Sequence, residues 1–143
     1  MNYLIIPNEG KPDLLAYQLR ASISGINAWS FRLFKNDIVL TESVVLADLE
    51  QADFFGYSRV ILTRSDWSVP TIVDNRAVST WGSSPLRFEG PTSPQVIYGC
   101  YFTDDDLNLI RGAYRFEEPF TVDNEHPLLI VPRFTYATEV LAP

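Results

Sequence analysis

Residues 95–116 read QVIYGCYFTDDDLNLIRGAYRF, two alternating apolar runs on either side of three aspartates. In the first run Val96, Tyr98, Cys100 and Phe102 fall on one side, and Ile97, Gly99 and Tyr101 on the other. After Asp104-Asp105-Asp106, Ile110, Gly112, Tyr114 and Phe116 align in the same way. Side chains that alternate with a period of two belong to an extended strand, and two such runs around a polar turn make a hairpin. A helix would scatter these aromatics around its whole circumference, so this stretch commits the fold to sheet.

The same period recurs elsewhere. Trp29, Phe31 and Leu33 share a face and run into the turn chemistry of Lys35-Asn36-Asp37. In residues 57–64, YSRVILTR, one face carries Ser58, Val60 and Leu62 and the other Tyr57, Arg59 and Ile61. Short strands are expected near 69–73, 77–81 and 86–89, the alternative being one long ordered loop that carries Trp67 and Trp81. PFTV and LLIVPRFTY follow, split by Asp123-Asn124-Glu125. Pro132 has no N–H to give a ladder, which predicts an edge or a bulge there. Seven or eight short strands, with turn signals roughly every 8–12 residues, predict an all-β domain, a β-sandwich of jelly-roll type. An aromatic content of 13 % suits such pleated surfaces.

The exception is residues 12–23, PDLLAYQLRASI. Pro12 suits a first helical turn, Asp13 complements the helix dipole, Leu15, Leu19 and Ile23 form one stripe, and Gly25 is a stop. The chain therefore divides into an arm and short helix over 1–24 and a sandwich over 25–143. Within the arm, Tyr3-Leu4-Ile5-Ile6 is an apolar run ended by Pro7, and it either packs on its own sandwich or reaches a neighbouring subunit.

Charge and residue inventory exclude several functions. The net charge is -7, and the eleven positive side chains are scattered. A nucleic-acid binder needs a concentrated basic footprint, and an acidic surface disfavours anionic membranes, so neither partner is expected. The N-terminal MNYLIIPNEGKPD lacks a basic n-region and a long apolar run, which predicts neither a signal peptide nor a membrane span. Cys100 is the single cysteine and His126 the single histidine, too few ligands for zinc. Three further chemistries are conceivable: a Cys100–His126 pair, a calcium site on Asp104, Asp105 and Asp106, and a carboxylate pair among Glu89, Glu117 and Glu118. The plainer readings are a buried strand cysteine, a solvated turn and surface charge. These prevail, so no catalytic residue, metal or cofactor is expected.

One stretch joins an acidic segment to an apolar strand: VLADLEQADFFGYSRVIL, residues 45–62. Asp48, Leu49 and Ala52 are expected in a short helical turn leading to Gly56. Phe54, Phe55 and Tyr57 either cap the core or present one ring, Phe55, to a neighbour. The order of AWSFRLFKND, this acidic tract, YGCYFTD and a strand ending in Tyr114-Arg115-Phe116 resembles small tailed-bacteriophage virion structural proteins, over about residues 12–136. Two departures are the extra MNYLIIPNEG and Tyr114 where an acidic residue usually precedes the Arg-Phe pair.

The resemblance implies a virion component, either a capsid decoration (cement) protein or a related head or tail structural protein; the expectation adopted is a decoration protein that is not an enzyme. It would bind the major capsid protein and itself as a homo-oligomer, a trimer favoured, on a virion assembled in the host cytoplasm. Tyr3, Leu4, Ile5, Ile6, Phe54, Phe55 and Tyr57 are the candidate interface residues. The alternative is a carbohydrate-binding module of a tail or fibre, with Trp67, Trp81 and Tyr101 stacking on sugar.

Overall fold

A computed structural model describes residues 5–10, 28–74, 76–82, 84–90, 92–104 and 108–136. The helix expected over 12–23, together with Tyr3 and Leu4, lies outside the described residues. The described chain is all-β. Its strands are β1 (Ala28–Phe34), β2 (Val60–Thr63), β3 (Thr71–Val73), β4 (Arg76–Thr80), β5 (Leu86–Phe88), β6 (Gln95–Asp104), β7 (Leu109–Val122), β8 (Leu128–Ile130) and β9 (Arg133–Tyr136). They form three antiparallel sheets, ordered β2-β1-β6-β7, β3-β4-β9 and β5-β8.

The aromatic alternation fixes the central pairing. Phe31 stands opposite Phe102 and Leu33 opposite Cys100, so the apolar faces of β1 and β6 coincide. The Phe31 and Phe102 rings meet edge to face, 5.3 Å apart. On this side the first core gathers Phe31, Leu33, Leu62, Ile97, Cys100, Phe102 and Val122 with Leu86, Phe88 and Leu128 from β5 and β8. The opposite face carries a second core of Phe34, Tyr101, Ile110 and Ala113, closed by Val44 and Leu49 from the loop after β1. Arg115 ties that loop down, donating to the Ile38 carbonyl at 2.9 Å and to Asp37 at 2.6 Å with its guanidinium over the Tyr98 ring. A sheet covered on both faces explains why β6 is buried continuously from Gly99 to Asp104.

Two bulges overturn the simple faces expected of the hairpin. The register shifts between Ile97 and Gly99 and between Phe102 and Thr103. An extra residue on one strand reverses the phase of everything beyond it. Tyr98 consequently lies against the second core while Ile97 joins Cys100 and Phe102 in the first. On β7, Ile110 enters the second core, whereas Tyr114 and Phe116 pack on the first. The expected separate strand PFTV is instead the end of the 14-residue β7. Residues 116–119 loop out between the Phe120–Ile97 and Arg115–Gly99 pairs, which places Pro119 where no ladder hydrogen bond is required.

Gly99 permits a close approach within the sheet. A Cβ there would sit 2.5 Å from two ring carbons of Phe34 and would also collide with the Tyr114 carbonyl. Near the far end of β6, Asp104 and Arg111 form an ion pair at 2.8 Å, each side chain only 4 % exposed. The stretch LLIVPRFTY is corrected from one strand to two, because the chain leaves β8 and joins another sheet as β9 after Pro132. Pro132 is buried there, and its carbonyl accepts the Trp81 N–H at 3.0 Å.

Candidate functional site

The short pairing of β1 with β2 creates the setting for the acidic tract. β2 reaches only from Ala28 to Phe31 along β1, so the same edge beyond Phe31 needs other partners. Residues 50–52 supply most of them. Lys35 N–H donates to the Glu50 carbonyl at 2.8 Å, and Ala52 N–H to the Leu33 carbonyl at 2.9 Å. The helical turn expected at Asp48, Leu49 and Ala52 is found earlier, as a 3-10 turn at Leu46–Asp48, and Ala52 lies buried beyond it.

The remaining donor, Leu33 N–H, is taken by the Tyr57 hydroxyl at 3.1 Å, which also accepts from Gln51 Nε2 at 3.1 Å. Burial pushes the Tyr57 phenol above its ordinary range, against the lowering effects of the Leu33 N–H and Gln51, so it acts as a neutral hydroxyl. Its ring packs edge to face on Phe54 at 5.3 Å and stacks on Phe88 at 6.1 Å.

Between these two anchored rings the chain makes a tight turn. Tyr57 N–H donates to the Phe54 carbonyl at 2.9 Å, and Gly56 adopts φ +89. Positive φ at the third residue is the mark of a type II turn and favours glycine. On the near side, Asp53 is clamped by Lys35 Nζ at 2.7 Å and by Gln95, whose amide donates to Asp53 Oδ1 at 2.7 Å and accepts the Asp53 N–H at 3.1 Å. The Lys35 hydrogen bond first, then that of Gln95, hold the Asp53 carboxyl below its usual range. The result is a stiff platform with one projecting ring: Phe54 is 7 % exposed and Phe55 89 %.

Of the other candidate interface residues, Ile5 and Ile6 are described, and they lie at the opposite edge of the sheet. Ile5 bridges Ala113 of β7 within the same chain, and both Ile5 and Ile6 are half-buried. The sequence offered no sign of Lys35, Gln51 and Gln95 as supports for the turn. Asp53 and Gln95 stand 42 residues apart, and no local pattern links them.

The alternative chemistries do not assemble. Trp67 and Trp81 pair in an isolated bridge and pack against the first core, but Tyr101 is 2 % exposed in the second, so the three rings share no platform. Cys100 is buried on β6, and desolvation pushes its thiol up to about 12, which keeps it an inert SH group. His126 sits on an exposed turn with Nδ1 2.8 and 3.0 Å from the Asp123 oxygens. The Glu125 N–H first, then His126, hold the Asp123 carboxyl low. Asp104 is engaged by Arg111, while Asp105 and Asp106 lie outside the described residues. Glu89 pairs with Arg87 at 2.8 Å, and Glu117 and Glu118 are exposed on the β7 loop-out. Among the described residues no group of three or more histidine, cysteine or carboxylate side chains is placed to hold a metal, and no helix is long and apolar enough to cross a membrane.

Comparison of the chain with protein-family models, curated proteins and solved structures finds no match.

Proposed function

We propose that this protein is a non-enzymatic structural component of a tailed-bacteriophage virion, a decoration protein that binds between major capsid subunits and acts as a homo-oligomer, with a trimer favoured. In this reading the domain is a sandwich of jelly-roll type, β5 and β8 forming part of the layer over the first core. The observation that carries the proposal is the Phe55 platform. Leaving a phenylalanine in water forgoes roughly 1.5–3 kcal/mol of burial, yet the turn beneath it is held by five side-chain hydrogen bonds. Such rigidity lowers the entropy lost when the ring enters a partner, as suits an aromatic anchor. Asp48, Glu50 and Asp53 are exposed along the same tract, so the complementary pocket is apolar with a basic rim.

The first test is the copy number of the protein in purified particles of its source virus, by quantitative mass spectrometry against the major capsid protein. A ratio near one to one supports a lattice-covering role, and absence from the particle overturns the proposal. On particles lacking the protein, Phe55→Ala is expected to bind at least about 10-fold more weakly than the unmodified chain.

A further inference from the structure

The outer edge of β3 carries an apolar surface that neither core uses. Val69, Ile72 and Val73 are 82, 73 and 52 % exposed, and no residue of β3 belongs to either core. β3 is the outer strand of the order β3-β4-β9, and Asp74, at φ 49, turns it back into β4 through a loop of two residues. The hydrogen-bond phase of this sheet can be followed from strand to strand. Trp81 N–H donates to the Pro132 carbonyl at 3.0 Å, so residues 79 and 77 also direct their backbone groups toward β9, and residues 80, 78 and 76 toward β3. Ser68 N–H accordingly reaches the Thr80 carbonyl at 2.9 Å. β3 therefore bonds β4 through Thr71 and Val73, opposite Val78 and Arg76, while the N–H and carbonyl of Ile72 point outward. The usable edge ends close on both sides of Ile72. Pro70 has no N–H to offer, and Asp74 begins the turn.

We infer that this edge pairs with β3 of a second copy, antiparallel about a twofold axis at Ile72. In that register each Ile72 N–H donates to the other's carbonyl, and Thr71 of one copy stands opposite Val73 of the other. The occupant follows from the edge's own dimensions. A longer strand from another protein would leave backbone groups unmatched against Pro70 and the turn, whereas a second β3 is short in the same two places. Residues 69–73 hold no charged side chain, so a chain of net charge -7 meets its copy where repulsion is least. Thr71, Ile72 and Val73 are all β-branched, the type that pairs well across strands. Within β3 there is neither a charge nor a bulge to blunt such pairing. One three-residue edge buries less than the about 1,200 Å² at which standard interfaces begin, so the contact is weak between free copies and gains strength where several are held together. It joins copies through β3 rather than Phe55, and it stands even if the protein is absent from particles.

The test is sedimentation equilibrium of the full-length chain from about 10 µM to about 1 mM. The average mass is expected to rise with concentration. Ile72→Lys changes a side chain already in water and sets two like charges opposite each other, so it is expected to weaken the association at least about 10-fold. Ile72→Pro removes the outward N–H, which the β4 ladder does not use, and is expected to act in the same direction. A constant mass, or a rise that either variant leaves unchanged, overturns the inference. If Ile72→Pro fails to fold, Ile72→Cys decides in its place. Opposed residues of such a pair lie about 5.5 Å apart between Cα atoms, so oxidation with diamide is expected to give a disulfide-linked dimer, and a chain that stays monomeric refutes the pairing. The native Cys100 is a buried, high-pKa thiol and stays out of the reaction.

Discussion

Tyr57→Phe isolates the support beneath the exposed ring. The substitution keeps the aromatic contacts with Phe54 and Phe88 and removes one oxygen. That oxygen satisfies two donors, Leu33 N–H and Gln51 Nε2, both at 3.1 Å. Leu33 is fully buried and its N–H lies beyond the reach of β2, so the donor is left without a replacement. A stranded buried N–H costs about 1–3 kcal/mol, while the Gln51 amide turns toward water at little cost. The expected loss is about 2 kcal/mol, or roughly 4–8 °C in melting temperature for a domain this size. Urea unfolding followed by tryptophan fluorescence measures it, with the m-value held constant to show that only stability has changed. Phe55→Ala, two residues away, is the contrast: its ring touches water, and its loss is expected to stay within about 0.5 kcal/mol. A Tyr57→Phe loss below about 0.5 kcal/mol, or a Phe55→Ala loss as large as that of Tyr57→Phe, would refute the assignment of one ring to stability and the other to binding.

Gly99→Ala is expected to cost about 3 kcal/mol or more in the same assay, because its methyl meets both the Phe34 ring and the β7 backbone. Gly56→Asn should cost no more than about 1 kcal/mol, since nothing lies within 4 Å and asparagine tolerates positive φ. Alkaline titration should also weaken the fold. The folded Cys100 thiol titrates at about 12 against an ordinary 9.0, so the unfolded chain loses its proton first. Stability is complete below about pH 9 and falls as pH rises toward about 12, at about 1.4 kcal/mol per unit from this group. Tyr101, pushed up to about 12 from 10.0, and Tyr57, also raised by burial, add to the fall as pH approaches and passes about 10. Between about pH 9 and 10 most of the slope should therefore be lost in Cys100→Ala, and an unchanged slope there assigns the effect elsewhere.

Much of this architecture could be read without coordinates, because strand character is a local property. Alternation of Trp29, Phe31 and Leu33, and of Cys100 with Phe102, needs only the period of the extended backbone, and it marks the strands of the central sheet. Gly56 as a turn was legible for the same reason, since its role follows from the backbone conformation at one residue. Which ring at the turn faces water was not legible. Gly56 resets the phase, and Phe54 and Tyr57 are drawn inward by Phe88, Leu33 and Gln51, residues contributed by other segments of the chain.

The larger corrections have a common cause. A bulge is defined by counting residues on one strand against its partner, so the phase reversals at Ile97–Gly99 and at Arg111 existed only once β6 and β7 were paired. Pro132 announced an interruption by its missing N–H, but whether the chain bends at an edge or crosses to a second sheet depended on where β4 waited to receive it. The arm shows the same division. Its apolar residues and Pro7 marked it as something that must pack, while the donors and acceptors of the β7 edge decided where. Sequence by itself determined what each segment prefers to be, because those preferences are energies of neighbouring residues. Tertiary structure alone decided which faces meet and which ring of the turn is left outside, because those are energies of residues brought together from distant parts of the chain.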